Sequence, residues 1–202
     1  MILKALHFAG ALWRFFWCMV LLLIGRYDRK YCRTHYFHGG VCAEGWNWMY
    51  HDWKSCLIQG ANSSVPWPVT AHSKVIGWER ISFDPEDLHN FQSNGCYYQA
   101  NAPISIGKGT FIACNVGIIT ANHDLSDITK HAEPQPVMIG EKCWIGMNSI
   151  LLPGVELGPH TIVGAGAVVT HAFPEGYCVI AGNPARLIRT IEQKNEQGET
   201  TC

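Results

Sequence analysis

His123 is the residue of this chain whose type and position most favour acid–base chemistry. Free histidine has a pKa of about 6.5, so near neutral pH its ring can accept a proton and return it. The chain contains 10 histidines. His123 stands apart because it lies in the polar segment Asn122-His123-Asp124, where a regular repeat is interrupted. Its candidacy as a general base therefore depends on what that repeat builds around it.

The repeat has a period of six residues. Aliphatic residues stand at every sixth position: Ile139, Ile145, Leu151, Leu157, Val163 and Val169. An α-helix repeats about every 3.6 residues and a strand about every 2.0, so the pattern fits neither element alone. It is typical of a chain wound into stacked coils, in which each hexapeptide forms one flat side.

The composition of the repeat predicts which side chains point inward. Each buried aliphatic residue contributes on the order of 1.5–3 kcal/mol, so we expect all six to face the interior. A glycine follows four of them: Gly140, Gly146, Gly158 and Gly164. This next position should lie near a corner, where backbones approach closely. A small or β-branched residue follows four places after each aliphatic position, which we call the size rule; the large Phe173, four places after Val169, breaks it.

His123 lies where the six-residue period is interrupted. The same period appears earlier, at Ile106, Ile112 and Ile118, but the interval from Ile118 to Ile139 is not a multiple of six. The sequence therefore predicts a loop at about 122–136, which leaves the coil after Thr120. In repeat folds an insertion on one face usually forms the binding surface.

The N-terminal segment, residues 1–31, predicts an apolar or amphipathic helix. Its aromatic stretch contains Arg14, and Arg26, Arg29, Lys30 and Arg33 follow. Aromatic residues at headgroup depth with basic residues against anionic lipid favour peripheral membrane contact through residues 1–25. Packing against the coils or a sister subunit is the alternative. A membrane span is disfavoured, since about 20 apolar residues are reached only by including His7 and Arg14.

The remaining segments complete a four-part organisation. Residues 32–103 predict an N-terminal cap with irregular opening coils, in which Val75-Ile76 and Ile81-Ser82-Phe83 are short strands and the tryptophans pack. Residues 104–185 form the regular coils, and 186–202 a C-terminal segment.

Composition excludes several classes of protein. A net charge of −1 without a basic stripe gives no indication of nucleic-acid binding. The 9 cysteines form no C-x-x-C pair, so reduced thiols in a cytoplasmic protein are favoured over a disulfide framework or zinc finger. Charged residues make up only 15% of the chain, which suggests subunit contacts or a membrane. We therefore expect a cytoplasmic protein, with possible attachment to the inner face of the membrane.

Several motifs resemble one known family. They are Ala121-Asn122-His123-Asp124, Cys143-Trp144-Ile145-Gly146, Leu152-Pro153-Gly154-Val155, Val163-Gly164-Ala165-Gly166 and Ala181-Gly182-Asn183-Pro184. Together they resemble the hexapeptide-repeat acyltransferases, above all the maltose, galactoside and polysaccharide O-acetyltransferases. The resemblance covers about half of the chain and implies a left-handed parallel β-helix. Together with the N-terminal apolar helix and the irregular cap, this predicts a mainly β fold. The resemblance also implies a homotrimer, acetyl-coenzyme A as donor, active sites between subunits and His123 as catalytic base.

The other candidate site residues fall into two groups. Asn101 is a candidate for the catalytic site beside His123. Trp144 precedes an inward position and should project outward, where it resembles the family tryptophan that flanks the cofactor arm. Gly146, Ala165 and Gly166 could let pantetheine approach the backbone, and Arg186 and Arg189 could meet phosphates. Subunit packing remains the alternative for Trp144, and simple solvation for each arginine.

The function that this resemblance implies is transfer of an acetyl group to a hydroxyl of a sugar or polysaccharide precursor. N-acetylation of an amino sugar or nucleotide sugar is the alternative, because an amine must also lose a proton. A zinc enzyme on the same scaffold needs three converging histidines, and no such spacing stands out, so no metal is expected. A non-catalytic scaffold is disfavoured by the presence of His123 in the loop.

Overall fold

The computed structural model describes residues 2–192 as a helical cap followed by a three-sided parallel coil. Helix α1 spans Ile2–Leu23 and α2 spans Glu44–Gln59. Short 3₁₀ helices lie at Arg29–Arg33, His35–Phe37, Gly40–Cys42, Trp78–Arg80 and Pro85–Gln92. The sequence pattern predicted α1 but not α2, which ends where Gly60 adopts a left-handed conformation and donates its N–H to the Cys56 carbonyl.

Three sheets form the sides of the coil. Sheet A contains β1 (Lys74–Ile76), β3 (Tyr97–Gln99), β6 (Gly117–Ile119), β9 (Ile150–Leu151) and β12 (Val168–Val169). Sheet B contains β2 (Ile81–Phe83), β4 (Ile104–Ile106), β7 (Val137–Ile139) and β10 (Glu156–Leu157). Sheet C contains β5 (Phe111–Ile112), β8 (Trp144–Ile145), β11 (Ile162–Val163), β13 (Cys178–Ala181) and β14 (Arg186–Thr190). Pairing is parallel except between β13 and β14, so the chain visits sheets A, B and C in turn as it climbs.

The interior of the coil confirms the inward positions that the six-residue period predicted. No aliphatic residue of the repeat, from Ile106 to Val169, exposes more than 4% of its surface. The small residues four places later are also buried: Cys143, Ser149, Val155, Thr161 and Ala167. Phe173, which breaks the size rule, is only half-buried and joins the coil through a single bridge to Leu157.

Close stacking of the coils explains the glycines. A Cβ on Gly140 would lie 2.6 Å from the carbonyl carbon of Gly158, and one on Gly158 would lie 2.2 Å from the Pro174 oxygen. Turns between the flat sides use left-handed backbone at six-residue spacing: Lys142, Asn148, Gly154, His160 and Gly166. His160 therefore occupies a turn position of the scaffold.

Parallel pairing begins earlier than the regular period. Strand β1 pairs with β3 and β2 with β4, so the first coil lies within residues 74–92 rather than starting at Ile104. Aromatic side chains fill this end of the prism: Trp67 is buried with its ring centroid 5.1 Å from those of Phe83 and Phe91. Because large rings replace stacked aliphatic residues, the first coils do not show the six-residue signature.

A buried carboxyl in the cap gives a stability prediction. Burial raises the pKa of Asp52 to about 6, and its partner is the Gln92 amide, which donates a 2.9 Å hydrogen bond. The folded protein holds this proton more tightly than the unfolded chain, so its stabilising contribution is complete below the ordinary pKa of 3.8 and is lost as pH rises through about 6. Asp52→Asn should therefore stabilise the protein at pH 8, by about 1–3 kcal/mol, and change little at pH 4. Thermal unfolding at the two pH values would test this, and equal shifts at both would contradict it.

Candidate active site

The predicted loop is a short hairpin that leaves the corner between sheets A and B. It connects β6, which ends at Ile119, to β7, which begins at Val137. Its two arms are joined by backbone bonds from Gln135 N to Thr120 O, Ala132 N to Asn122 O and Asp124 N to Lys130 O, at 2.8, 2.9 and 2.9 Å. The hairpin is therefore anchored to the β-helix at its base and held across its width.

His123 and His131 face each other across this hairpin. They form an antiparallel bridge, and their rings stack with centroids 4.7 Å apart. Both residues are exposed. Sequence analysis assigned no role to His131. Its place in the same loop was the available signal, but the pairing of the two histidines across the hairpin depends on the turn between them.

Asp124 builds that turn. Its Oδ1 accepts hydrogen bonds from the backbone N–H groups of Ser126 and Asp127 and from the Ser126 hydroxyl. These bonds, led by the Ser126 hydroxyl, lower the pKa of the Asp124 carboxyl below its usual value. Its geometry is that of a turn-forming residue and not of a partner for an imidazole.

Asn101 lies on the coil below the mouth of the hairpin. It is exposed and follows β3 at the same corner between sheets A and B. The neighbouring Ala102 N–H donates to Thr120 Oγ1 at 3.0 Å, and Val137 N–H donates to the Pro103 carbonyl at 3.0 Å. The chain around Asn101 is thus bonded to both ends of the hairpin, which places Asn101 and His123 at one corner.

Trp144 projects outward from sheet C. It pairs with Phe111 on one side and with Ile162 on the other. Trp144 is 57% exposed and Phe111 is 59% exposed. Phe111 was not singled out from the sequence, although it precedes the inward Ile112 just as Trp144 precedes Ile145. The outer face of sheet C therefore carries an aromatic pair.

The three small candidates lie at the corner between sheets C and A, but in two different environments. Gly146 is buried, and a Cβ there would lie 2.5 Å from the Val163 oxygen, so coil stacking itself requires glycine. Ala165 and Gly166 are exposed, and no atom lies within 4 Å of a Cβ built on Gly166. Ala165 and Gly166 can thus be approached from outside, whereas the backbone of the next coil covers Gly146.

Arg186 and Arg189 lie at the far end of sheet C. Both are exposed on β14, which pairs antiparallel with β13. Arg186 donates from its guanidinium to the Ala185 carbonyl at 2.9 Å. Within residues 2–192 neither guanidinium forms an ion pair, so both remain able to meet an anion.

The two halves of the candidate site lie on different sides of one chain. His123 and Asn101 occupy the corner between sheets A and B, while Trp144 and both arginines belong to sheet C. In a three-sided prism the third side lies opposite the corner that the other two share. A single chain therefore does not bring the candidate base and the candidate donor-binding residues together.

Within residues 2–192 the other histidines and cysteines form no comparable cluster. His160 stacks on Tyr177 and His171 contacts Phe173, with centroids 4.6 Å apart in each pair. Among the residues that the structure describes, no group of three His, Cys, Asp or Glu side chains could hold a metal ion. The eight cysteines in this part of the chain are unpaired thiols.

The regular coils of this chain match a known family of repeats. Residues 136–171 match the family model described as bacterial transferase hexapeptide, six repeats. Residues 136–171 therefore carry the bacterial transferase hexapeptide repeat. The hexapeptide-repeat region is accordingly a left-handed parallel β-helix, as the sequence predicted.

Relatives of the hexapeptide-repeat region include proteins named as acetyltransferases. A provisionally named acetyltransferase of Saccharomyces cerevisiae is 41% identical over 98 residues, which cover 46% of this chain and 49% of the relative. Galactoside O-acetyltransferase of Escherichia coli is 34% identical over 96 residues, covering 46% and 47%. A solved maltose O-acetyltransferase of Clostridium difficile has a TM-score of 0.46 at 37% identity, covering 48% of this chain and 54% of that one. The chain spans about half the length of the curated relatives it matches.

Proposed function

We propose that this protein transfers the acetyl group of acetyl-coenzyme A to a hydroxyl of a sugar or polysaccharide precursor. The observation that carries the proposal is the position of His123, on an anchored hairpin at a corner of a hexapeptide-repeat β-helix. The names of the relatives support acetyl transfer, and galactoside O-acetyltransferase supports a sugar hydroxyl as acceptor.

His123 is the general base in this proposal. Its imidazole takes the proton from the acceptor hydroxyl as the oxygen attacks the thioester carbonyl. When the tetrahedral intermediate collapses, the carbon–sulfur bond breaks and the imidazolium gives the proton to the leaving thiolate. The products are an acetyl ester and coenzyme A with a free thiol. A backbone N–H is the expected donor to the transient oxyanion.

Sheet C is the proposed binding surface for the donor. Its outer face offers the exposed Phe111 and Trp144 as apolar contacts, and Arg186 and Arg189 lie on the last strand. From β8 to β14 there are three strand spacings, about 14 Å, a length suited to an extended arm with phosphates at one end. Exposed Ala165 and Gly166 border this surface at the adjoining corner, whereas buried Gly146 contributes through the shape of the coil.

A homotrimer would complete the site. Because His123 and Trp144 lie on opposite sides of one chain, the hairpin of one subunit must meet sheet C of its neighbour. A closed ring of three prisms repeats this contact three times, and the exposed aromatic residues of sheet C would then lie between subunits.

Trp144→Ala tests the donor surface. We expect the KM for acetyl-coenzyme A to rise about tenfold, through lost apolar contact, with little change in kcat at saturating donor. Met138→Ala is the matched control, since Met138 projects from sheet B of the same coil. Steady-state kinetics over a range of donor concentrations would measure both. If Trp144→Ala leaves the donor KM unchanged but alters the association of the subunits, then Trp144 serves only in packing between subunits.

The acceptor class can be tested with a thiol-release assay. The protein would be incubated with acetyl-coenzyme A and, separately, neutral mono- and oligosaccharides, amino sugars, nucleotide sugars and lipid-linked sugars. We expect acceptor-dependent release with a neutral sugar and a product whose acetyl group is removed by mild alkali, as an ester is. Release confined to amino sugars, with an alkali-stable amide product, would establish the alternative N-acetylation.

A further inference from the structure

Helix α1 presents an apolar face to the outside of the protein. Successive residues of an α-helix are about 100° apart, and on this basis nine residues between Leu6 and Leu23 share one arc of roughly 160°. They are Leu6, Phe8, Ala9, Leu12, Trp13, Phe16, Met19, Val20 and Leu23. Apart from Ala9 and Val20, all seven of these residues expose between 39% and 72% of their surface. This arc contains no polar side chain.

The polar residues of α1 lie off this arc. Exposed Lys4 lies next to Phe8, at one border of the arc. His7 and Arg14 lie on the opposite side of the helix with buried Cys18, whose thiol donates to the Trp46 carbonyl of α2. Phe15 and Trp17 pack against Trp46 and Trp53 of α2, with centroids 5.0 and 5.9 Å apart. The helix is therefore oriented with its apolar side outward, the reverse of a helix adapted to water.

Basic residues follow the apolar face directly. Helix α1 contains no Asp or Glu, and Arg26, Arg29, Lys30 and Arg33 come next. Lys30 is 3.7 Å from Asp28, but Arg29 and Arg33 form no ion pair within residues 2–192. These two arginines line a groove of about 320 Å³ with Met19, Leu22, Leu23 and Trp46. The groove thus combines apolar walls with two free cations.

We propose that α1 docks on an anionic lipid bilayer and lies in the plane of its surface. The apolar arc enters the boundary between headgroups and acyl chains, while Arg29 and Arg33 meet lipid phosphates. Anionic headgroups neutralise these arginines, which a second copy of the same apolar and basic surface does not. This surface is separate from the proposed acetyl-transfer site and does not depend on that activity.

The packing of α2 favours docking in the plane over a span. By length and composition Leu6–Leu23 could cross a bilayer. However, α2 packs against α1 and exposes Glu44, Asn47, His51 and Lys54. A spanning α1 would draw these polar side chains into the hydrocarbon, at a high cost in free energy, whereas a helix lying on the surface leaves them in water.

Vesicle flotation with the full-length chain tests the proposal. Vesicles of phosphatidylcholine alone would be compared with vesicles that also contain phosphatidylglycerol. We expect binding to the anionic vesicles, weakened by high salt, and a loss of at least tenfold in the double variant Leu12→Gln/Phe16→Gln. Leu125→Gln/Ile128→Gln is the matched control, since it removes two even more exposed apolar side chains from the hairpin and should bind as the parent does.

A second variant keeps the test independent of α1 folding. Arg29→Gln/Arg33→Gln leaves the apolar arc intact and should lose most of its preference for anionic vesicles; circular dichroism would verify that each variant is folded. Failure of the parent protein to float would overturn the proposal. Unchanged flotation of Leu12→Gln/Phe16→Gln would also overturn it, as would a double variant that differs from the parent only in its oligomeric state. Resistance of the bound parent to extraction at alkaline pH would indicate a membrane span instead. None of these results bears on acetyl transfer, which can be measured without vesicles on the soluble sugars of the thiol-release assay.

Discussion

Replacing His123 by alanine should lower kcat by about 10²–10⁴-fold, the range that a general base contributes. The KM for acetyl-coenzyme A should stay close to that of the parent, because the imidazole acts on the acceptor hydroxyl and not on the long arm of the donor.

Two controls separate catalysis from structure in that experiment. His171→Ala removes another exposed histidine, outside the hairpin, and should retain the parent kcat. His123→Gln keeps a polar side chain in the hairpin without its basicity, so it should be as inactive as the alanine variant. Near-normal turnover of either His123 variant would remove the proposed mechanism and leave the fold unaffected.

Leu157→Asp should prevent folding of the β-helix. Leu157 is buried between Ile139 of the coil below and Phe173 of the coil above. A carboxylate there has no partner and costs several kcal/mol, in addition to the lost apolar burial, against a total stability of about 5–15 kcal/mol for a typical domain. We expect loss of the cooperative thermal transition and rapid cleavage by proteases.

The volume-conserving change Leu157→Met is the control for that variant. It should cost less than about 1.5 kcal/mol, since methionine fills a similar space in the stack. A Leu157→Asp protein with the same melting temperature as the parent would mean that this side chain does not face the interior.

The regular part of the fold was predictable because its stabilising interactions are periodic in sequence. Each inward residue stacks on an equivalent residue of the next coil, as Ile145 does on Val163, so burial leaves a six-residue pattern. The hairpin was predictable for the same reason, since it disturbs the phase between Ile118 and Ile139. Both predictions are confirmed by the burial and the strand bounds.

The cap was less predictable because its contacts are not periodic. Helix α2 carries tryptophans at positions that serve contacts with α1, such as Trp46 against Phe15, and these depend on how the chain folds back. The two short strands of the first coil were predicted, and the structure has them at β1 and β2. The packing of that coil was not predicted, since Trp67 and Phe91 fill it in place of aliphatic residues.

The candidate site was predictable in its parts and not in its assembly. The sequence indicated His123 through the interrupted period and the outward direction of Trp144 through its phase. The stack of His123 on His131 depends on a turn that Asp124 forms locally. The separation of His123 from sheet C emerges only from the order of the strands, and the catalytic and donor-binding roles remain predictions.

Mixed oligomers of two variants with different defects, one in kcat and one in donor KM, test the central claim most directly. His123→Ala and Trp144→Ala subunits would be unfolded together, refolded as a mixture and assayed at a donor concentration below the raised KM. If a site takes its base from one subunit and its donor surface from the next, about one quarter of the sites in an equal, random mixture regain both intact residues. We expect turnover well above that of either variant refolded alone. Mixed oligomers that assemble normally but turn over no faster than the two variants refolded alone would contradict a site shared between subunits.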